Sequence, residues 1–361
     1  MDRGKRPSNL FGNKNCKIYM GLKDIIRENA LAYLPAKSLF RCTGVCREWK
    51  LQISTPFFAH NQSNCFQSTS GFFYQTTSGV PSFMSVDPMA YGVPDPSLSF
   101  LPEPVDIRSS SNGLLCCQGR TGYRAYYVCN PVTKQWKKLP KPENDHGADP
   151  AVVLVFEPSL LNFIAEFKLV CAFKSELDGL EFEIYSSQKG SWRTSGEICF
   201  GNHVLSPKSG VYVNGTVYWR SAYGFTSFDL TSERCQFHNP YYAFGGVFGS
   251  MNGKLCVADL RGHRLVLSVL SNTHSNTMQL KSKAKTWDQI QHDNITDVVG
   301  ANNSWKYNGC IKYIGGDIVL AQNGSTYSSY DMKKKTATTL GEFDVGSNSA
   351  IVGYVNSLVE L

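Results

Sequence analysis

The stretch SSSNGLLCCQGRTGYRAYYVCNPVTKQWKKLP, Ser109–Pro140, decides the fold. It opens on Asn112-Gly113, a pair that readily takes the positive φ of a tight hairpin turn. A short apolar run follows, then AYYVC, a turn at Asn130-Pro131 and a strand centred on Trp136. The Asn-Gly opening returns in YVNGTVYWR from Tyr212, SMNGKLCVAD from Ser250 and KYNGCIKY from Lys306. Between these lie AVVLVF, FKLVCAF and LEFEIYSSQKGSWRTSG, then TSFDLTSERCQF, LVLSVLSN and STYSSYDMKKKTATTL. Units of about 50 residues with three or four short strands each suggest propeller blades. Five such units run from Ser109 to Leu340. A sixth can form from the final AIVGYVNSLVEL and a strand near Gly71–Gln75. Joining distant segments in one blade closes the ring and removes exposed strand edges. The expectation is an all-β, six-bladed propeller. A pair of β-sandwiches is the alternative, and it needs longer strands.

Composition agrees with a β-rich body behind a different head. The chain has 361 residues, 42% hydrophobic, 12% aromatic and only 18% charged. Two domains are the natural expectation at that length. No apolar run is long enough for a membrane helix. The start, MDRGKRPSNLFGNKNCKIYM, lacks the apolar stretch of a secretory signal. The twelve cysteines include no CxxC and no zinc spacing, and read as reduced thiols of a cytoplasmic or nuclear protein. Residues 1–50 hold 11 Lys/Arg against 4 Asp/Glu, and the rest balances at 25 of each, so the net +7 belongs to the head. A nucleic-acid-binding body carries its own basic face. Neither nucleic acid nor a membrane is therefore expected as partner. A basic head suits an acidic protein surface, and residues 1–17 read as a flexible basic tail.

Residues 18–60 read as three short helices. Leu22, Ile25, Ile26 and Tyr33 share one helical face. Pro35 ends that helix and opens the next, whose apolar face is Leu39 and Phe40. Val45, Cys46, Trp49 and Ile53 mark a third, stopped at Thr55-Pro56. So small a helical unit, with no metal or disulfide set, needs a partner surface.

The motifs LPAKSL (Leu34–Leu39), VCREW (Val45–Trp49) and ISTPFF (Ile53–Phe58) together resemble an F-box. The SNGLLC and NPVTKQWKKLP segments resemble the opening of the kelch-like, F-box-associated domain that follows plant F-boxes. The resemblance implies a small all-α F-box ahead of a kelch-like propeller. It also implies docking on a Skp-type adaptor, and through it a cullin, within an SCF-type E3 ubiquitin ligase. The family's adaptor-facing positions fall on Leu34, Pro35, Leu39, Val45, Cys46 and Trp49. The implied role is recognition of a protein substrate for ubiquitination, with no cofactor and no catalysis by the chain itself. The first helix departs from the family pattern, reading Leu22-Lys23-Asp24 where Leu-Pro is usual.

Six of the sixteen prolines fall between Pro81 and Pro104, so residues 76–108 read as a linker or loop. The β domain then comprises 61–75 and 109–361. Glu143-Asn-Asp145-His146-Gly-Ala-Asp149 is the nearest approach to a metal set and reads as a solvated loop, as do His292-Asp293 and Asp297. Glu181 and Glu183 alternate with Phe182 and Ile184, as on a half-buried strand. Tyr123, Tyr126, Tyr223, Phe225, Tyr241, Tyr242 and Phe244 lie in or beside predicted turns. Of these, Tyr123, Tyr223, Phe225, Tyr241 and Tyr242 are the candidate target-binding anchors. Two other classes compete with the ligase reading: a ligase-independent binding scaffold, and a propeller hydrolase or oxidase, which needs converging carboxylates or a metal set.

Overall fold

The computed structural model describes residues 22–158, 164–175, 178–201, 204–238, 246–261, 264–270, 287–295, 309–347 and 349–361. The head contains α1 (Leu22–Asn29), a 3-10 turn (Leu31–Tyr33), α2 (Ala36–Cys42), α3 (Arg47–Ile53) and α4 (Pro56–Cys65). The fourth helix corrects the three-helix expectation. Thr55-Pro56 stops α3 but also starts α4: the Phe58 N–H donates to Thr55 Oγ1 at 3.1 Å, and Pro56 sits where its missing N–H costs nothing. The apolar period that would reveal α4 is absent because its buried face includes His60, Gln62 and Ser63.

The strands follow in antiparallel meanders. β1 (Gly71–Gln75) and β2 (Pro81–Ser85) come first, so the expected linker 76–108 holds one whole strand, and the next strand begins inside it at Val105. Then come β3 (Val105–Ser111), β4 (Leu114–Gly119), β5 (Tyr126–Asn130) and β6 (Gln135–Lys138). The next four are β7 (Ala151–Phe156), β8 (Phe167–Lys174), β9 (Gly179–Ser186) and β10 (Ser191–Phe200). They are followed by β11 (Val211–Val213), β12 (Thr216–Ser221), β13 (Gly224–Asp229) and β14 (Arg234–His238). β15 (Val247–Met251), β16 (Lys254–Arg261), β17 (Arg264–Leu270) and β18 (Trp287–Asn294) come next. The last are β19 (Cys310–Gly315), β20 (Ile318–Asn323), β21 (Thr326–Asp331), β22 (Thr336–Glu342) and β23 (Val352–Tyr354).

β3–β6, β7–β10 and β11–β14 are separate four-stranded sheets. β15–β18 and β19–β22 are joined into one eight-stranded sheet by a single parallel bridge, Ser250 to Gly315. β23 pairs with β1 in the register Gly71 to Tyr354, completing a three-stranded sheet from distant parts of the chain. Apolar clusters fill the seams between successive meanders: Phe182 and Ile184 meet Trp219 and Phe228, for example. Another seam joins Leu320 and Tyr327 to Phe72 and Tyr74 of β1, so the ring closes. The fold is a helical head followed by a β-propeller, and the β-sandwich alternative is set aside.

Three of the four Asn-Gly openings named above form the first turn of a meander with positive φ at both residues: 43° and 94° at Asn112-Gly113, 44° and 82° at Asn214-Gly215, 50° and 68° at Asn252-Gly253. The fourth precedes β19 instead, and the first turn of that meander uses Gly316, φ 57°. A second repeat runs through the third turns. Asn130, Asp229 and Asp331 each accept backbone N–H bonds from the turn after the third strand, and the residue four positions on (Lys134, Glu233, Lys335) has positive φ. The glycines differ in what surrounds them. A Cβ at Gly113 would lie 2.5 Å from Ser357 Cβ, whereas nothing lies within 4 Å at Gly215. Gly215→Ala is expected to cost about 1 kcal/mol of backbone strain, and Gly113→Ala at least about twice that. Equal shifts in thermal unfolding of the two variants would refute the packing role of Gly113.

Candidate functional site

The connectivity gives the ring two distinct faces. In each meander the first and third turns lie at one end, and the second turn and the inter-sheet connections at the other. The segment after β23 runs along the first of these ends. Asn130 Nδ2 donates to the carbonyls of Ser357 and Val359 at 3.0 and 2.8 Å, and the Ala165 N–H donates to Glu360 O at 3.0 Å. The head sits on this segment. Gln62, fully buried, donates to Leu34 O at 3.0 Å and Asn356 O at 3.2 Å, and accepts from the Leu358 N–H at 2.9 Å. Asn356, also fully buried, accepts the Lys37 N–H at 3.1 Å and donates to Gly92 O at 2.8 Å. One apolar cluster runs from Leu31, Leu39 and Trp49 through Leu358 to Leu115 and Tyr127 of the first full meander. Removing Gln62 or Asn356 leaves several buried backbone groups unpaired, each worth about 1–3 kcal/mol. Gln62→Ala is expected to speed proteolysis of the head before the propeller unfolds. Unchanged cleavage of the head would refute this anchoring.

The six adaptor-facing candidates separate by burial. Pro35, Leu39 and Trp49 are buried in the chain's own core, Leu34 and Cys46 are half-buried, and Val45 is 63% exposed. Cys46 caps α3, with Sγ 3.5 Å from the Trp49 N–H. Leu39 and Trp49 therefore support the surface rather than form it. The exposed large apolar side chains of the head are Leu22, Ile25, Tyr33, Phe40, Val45, Leu51 and Phe57. Helical spacing pointed to the apolar positions but could not say which of them the propeller and C-terminal segment would cover.

The opposite face carries Tyr123 and Tyr223 in second turns, 46% and 79% exposed. Lys138 Nζ lies 5.2 Å from the centre of the Tyr123 ring. Phe225 is no anchor. It is 2% exposed, stacked on His238 at 4.5 Å and edge-on to Trp287, because β13 is an inner strand of its sheet with neighbours on both sides. Tyr126 is likewise core. Tyr241, Tyr242 and Phe244 lie outside the described residues, as do Asp297 and the side chains of His292 and Asp293. Phe200 and Val204, exposed on this same face, were missed by the sequence reading.

Two acidic or basic sites assigned to solvent are in fact one buried cluster. His146 and Glu183 side chains are 2% and 0% exposed, with Nε2 to Oε2 at 2.9 Å. Tyr126 OH lies 3.0 Å from His146 Nδ1, and the Glu143 and Asn144 N–H groups donate to Glu183 at 2.8 and 3.2 Å. Simple alternation failed for Glu183 because β9 is covered on both faces by neighbouring sheets. Burial pushes its carboxyl up, but the bonds from His146, the Glu143 N–H and Asn144 outweigh this and hold it below the ordinary glutamate value. The cluster ties the connection 139–150 to the neighbouring sheet and is closed to substrate. Among the described residues no group of three His, Cys, Asp or Glu side chains could hold a metal ion, and no cysteine is in a disulfide. No described helix is long and apolar enough to cross a membrane.

A central channel of about 1410 Å³ runs between the faces, lined by the innermost strands. A helical head is thus fixed to one end of a propeller whose other face is open. Residues 98–293 match the family described as "F-box protein At3g26010-like, beta-propeller", and the chain belongs to that family. F-box protein At5g49610 of Arabidopsis thaliana is 34% identical over 202 residues, 52% of this chain and 55% of that protein. F-box protein At5g07610 of Arabidopsis thaliana is 30% identical over 247 residues, 62% of this chain and 56% of that protein. The chain thus spans about half the length of these curated relatives. Among solved structures, TolB from Acinetobacter baumannii aligns over 79% of this chain and 66% of its own, at 9% identity and a TM-score of 0.45.

Proposed function

We propose that this chain is the substrate-recognition subunit of an SCF-type E3 ubiquitin ligase. The head docks on a Skp-type adaptor, and through it a cullin, while the propeller holds a protein target. The chain does no covalent chemistry; it raises the target's effective concentration near the ubiquitin-charged enzyme. The observation that carries this reading is the set of exposed apolar side chains on the small head, Tyr33, Phe40, Val45 and Leu51, while its other apolar side chains are packed into the core shared with the ring. Large apolar side chains left exposed on so small a unit suit an interaction site. Leu34 and Cys46 are half-buried, and Pro35, Leu39 and Trp49 lie beneath.

In this reading the propeller is kelch-like and six-bladed, the eight-stranded sheet supplying two blades and the β2-β1-β23 sheet the sixth. The F-box unit is 18–60 extended through α4, and the target meets the face of Tyr123 and Tyr223, opposite the head. The protein works in the cytoplasm or nucleus, where Skp-type adaptors and cullins assemble. Co-purification of the full chain with a Skp-type adaptor tests the docking. A stoichiometric complex is expected, and a folded chain that fails to form one refutes the ligase role in favour of a scaffold.

A further inference from the structure

The channel's mouth on the open face is built of cations. Arg108 is held by Asp106 and Asp149 at 3.3 and 2.5 Å, and Lys208 Nζ reaches Asp149 at 3.7 Å. Next to Lys208, Ser209 Oγ accepts the Arg220 N–H at 2.8 Å. Arg220 Nη1 in turn donates to Gly246 O at 3.2 Å, at the start of the next innermost strand. The parallel bridge Ser250–Gly315 sets β15 beside β19, and Gly246 and Lys312 both lie toward the ends of these strands away from that bridge, on the open-face side. Arg220 and Lys312 thus both lie toward the open-face end of the channel, and both line it. Neither has a carboxylate within ion-pair distance among the described residues, while Lys208 shares Asp149 with Arg108. The channel's acidic lining residues, Glu157, Asp317 and Asp331, lie in or beside first and third turns, at the head end.

We propose that this mouth binds an anionic group, a phosphate or a cluster of carboxylates, carried on a peptide segment, with Arg220 and Lys312 as its main contacts and Lys208 beside them. Two cations left without counter-charge in a concave site favour such a group, and a guanidinium beside an ammonium matches its spread of oxygens. The cavity exceeds the range of about 300–1,000 Å³ typical of small-molecule pockets, which suits a peptide. Residues 51–361 carry equal numbers of basic and acidic side chains, so the body offers a local anion site rather than the broad basic face a nucleic acid requires. That the peptide belongs to a protein destined for ubiquitination rests on the ligase reading; the anion site does not.

Fluorescence anisotropy on the full chain tests the site. The probes are a labelled peptide with one phosphoserine, the same peptide with three glutamates in its place, a neutral serine version and a single-stranded oligonucleotide. One or both anionic peptides are expected to bind, more weakly at raised salt, with inorganic phosphate competing only if the phosphopeptide is preferred. Arg220→Ala and Lys312→Glu are each expected to weaken binding about tenfold, the usual weight of a hydrogen bond to a charged group. Lys137→Ala, on the outer strand β6, should leave it unchanged. Lys312→Glu decides the matter if Arg220→Ala does not fold, because the Lys312 side chain makes no hydrogen bond to a described residue. Equal binding of the neutral peptide, binding insensitive to Lys312→Glu, or tighter binding of the oligonucleotide overturns the proposal. Adaptor co-purification of Lys312→Glu should match that of the unaltered chain, so loss of this site and loss of the ligase role are separately visible.

Discussion

Glu183→Ala should lower stability by about 3–5 kcal/mol, the usual consequence of breaking a buried ionisable pair by removing one partner. The alanine leaves His146 Nε2, two backbone N–H groups and Asn144 Nδ2 without their acceptor in a site closed to water. It also opens a void beside Phe173 and Trp192, whose rings pack on His146. Glu183→Gln keeps the volume and one acceptor oxygen and should cost less. Because the folded carboxyl titrates below the ordinary glutamate value, its contribution is present above the unfolded pKa. It is lost as pH falls through the folded value, so the gap between wild type and Glu183→Gln narrows in acid. Urea or thermal unfolding across that range reads both effects. A loss under about 1 kcal/mol for Glu183→Ala, or a gap that widens as pH falls, would contradict the geometry.

The second large effect concerns the head. Val45→Asp combined with Leu51→Asp should reduce adaptor binding about a hundredfold or more, since two anchors worth about 2 kcal/mol each are replaced by charges that must be desolvated. Both side chains are exposed, at 63% and 61%, so the variant should fold normally. Leu39→Ala is expected to behave differently. Leu39 is fully buried, and its truncation should cost about 2–5 kcal/mol of stability, with any loss of binding following from the loosened head. Measuring unfolding and adaptor binding side by side separates the two. If the double aspartate variant binds normally, the exposed surface is not the docking face. If Leu39→Ala abolishes binding at unchanged stability, the core of the head opens on docking.

The two results bear on how the proposed subunit would join two partners. The head is not strung on a flexible tether: Gln62 and Asn356 fix it to the segment that follows the closing strand of the ring. In the proposed ligase role, a target held on the open face would be kept at a set distance from the adaptor, confining the region in which it would meet the transferring enzyme.

Local sequence determined the elements. Asn-Gly needs no tertiary partner to favour a hairpin, so three first turns were legible, as were the Pro35 break, the apolar spacing of α2 and α3, and the pairing of distant segments at Gly71 and Tyr354. The helix α4 was not, because its buried side is polar and its bonding partners lie almost 300 residues away. Burial was decided only by the tertiary structure. Period-two alternation assumes one wet face, and the middle strands of stacked sheets have none, so Glu183 and Phe225 both lie inside. Trp49 and Val45 belong to one motif and are equally apolar by type. The packing of the head on the C-terminal segment covers the first and leaves the second exposed. The mouth of the channel belongs to the same class: Arg220 and Lys312 are far apart in sequence and unremarked by any local pattern. The arrangement of the sheets around one channel is what brings them to the same end of it.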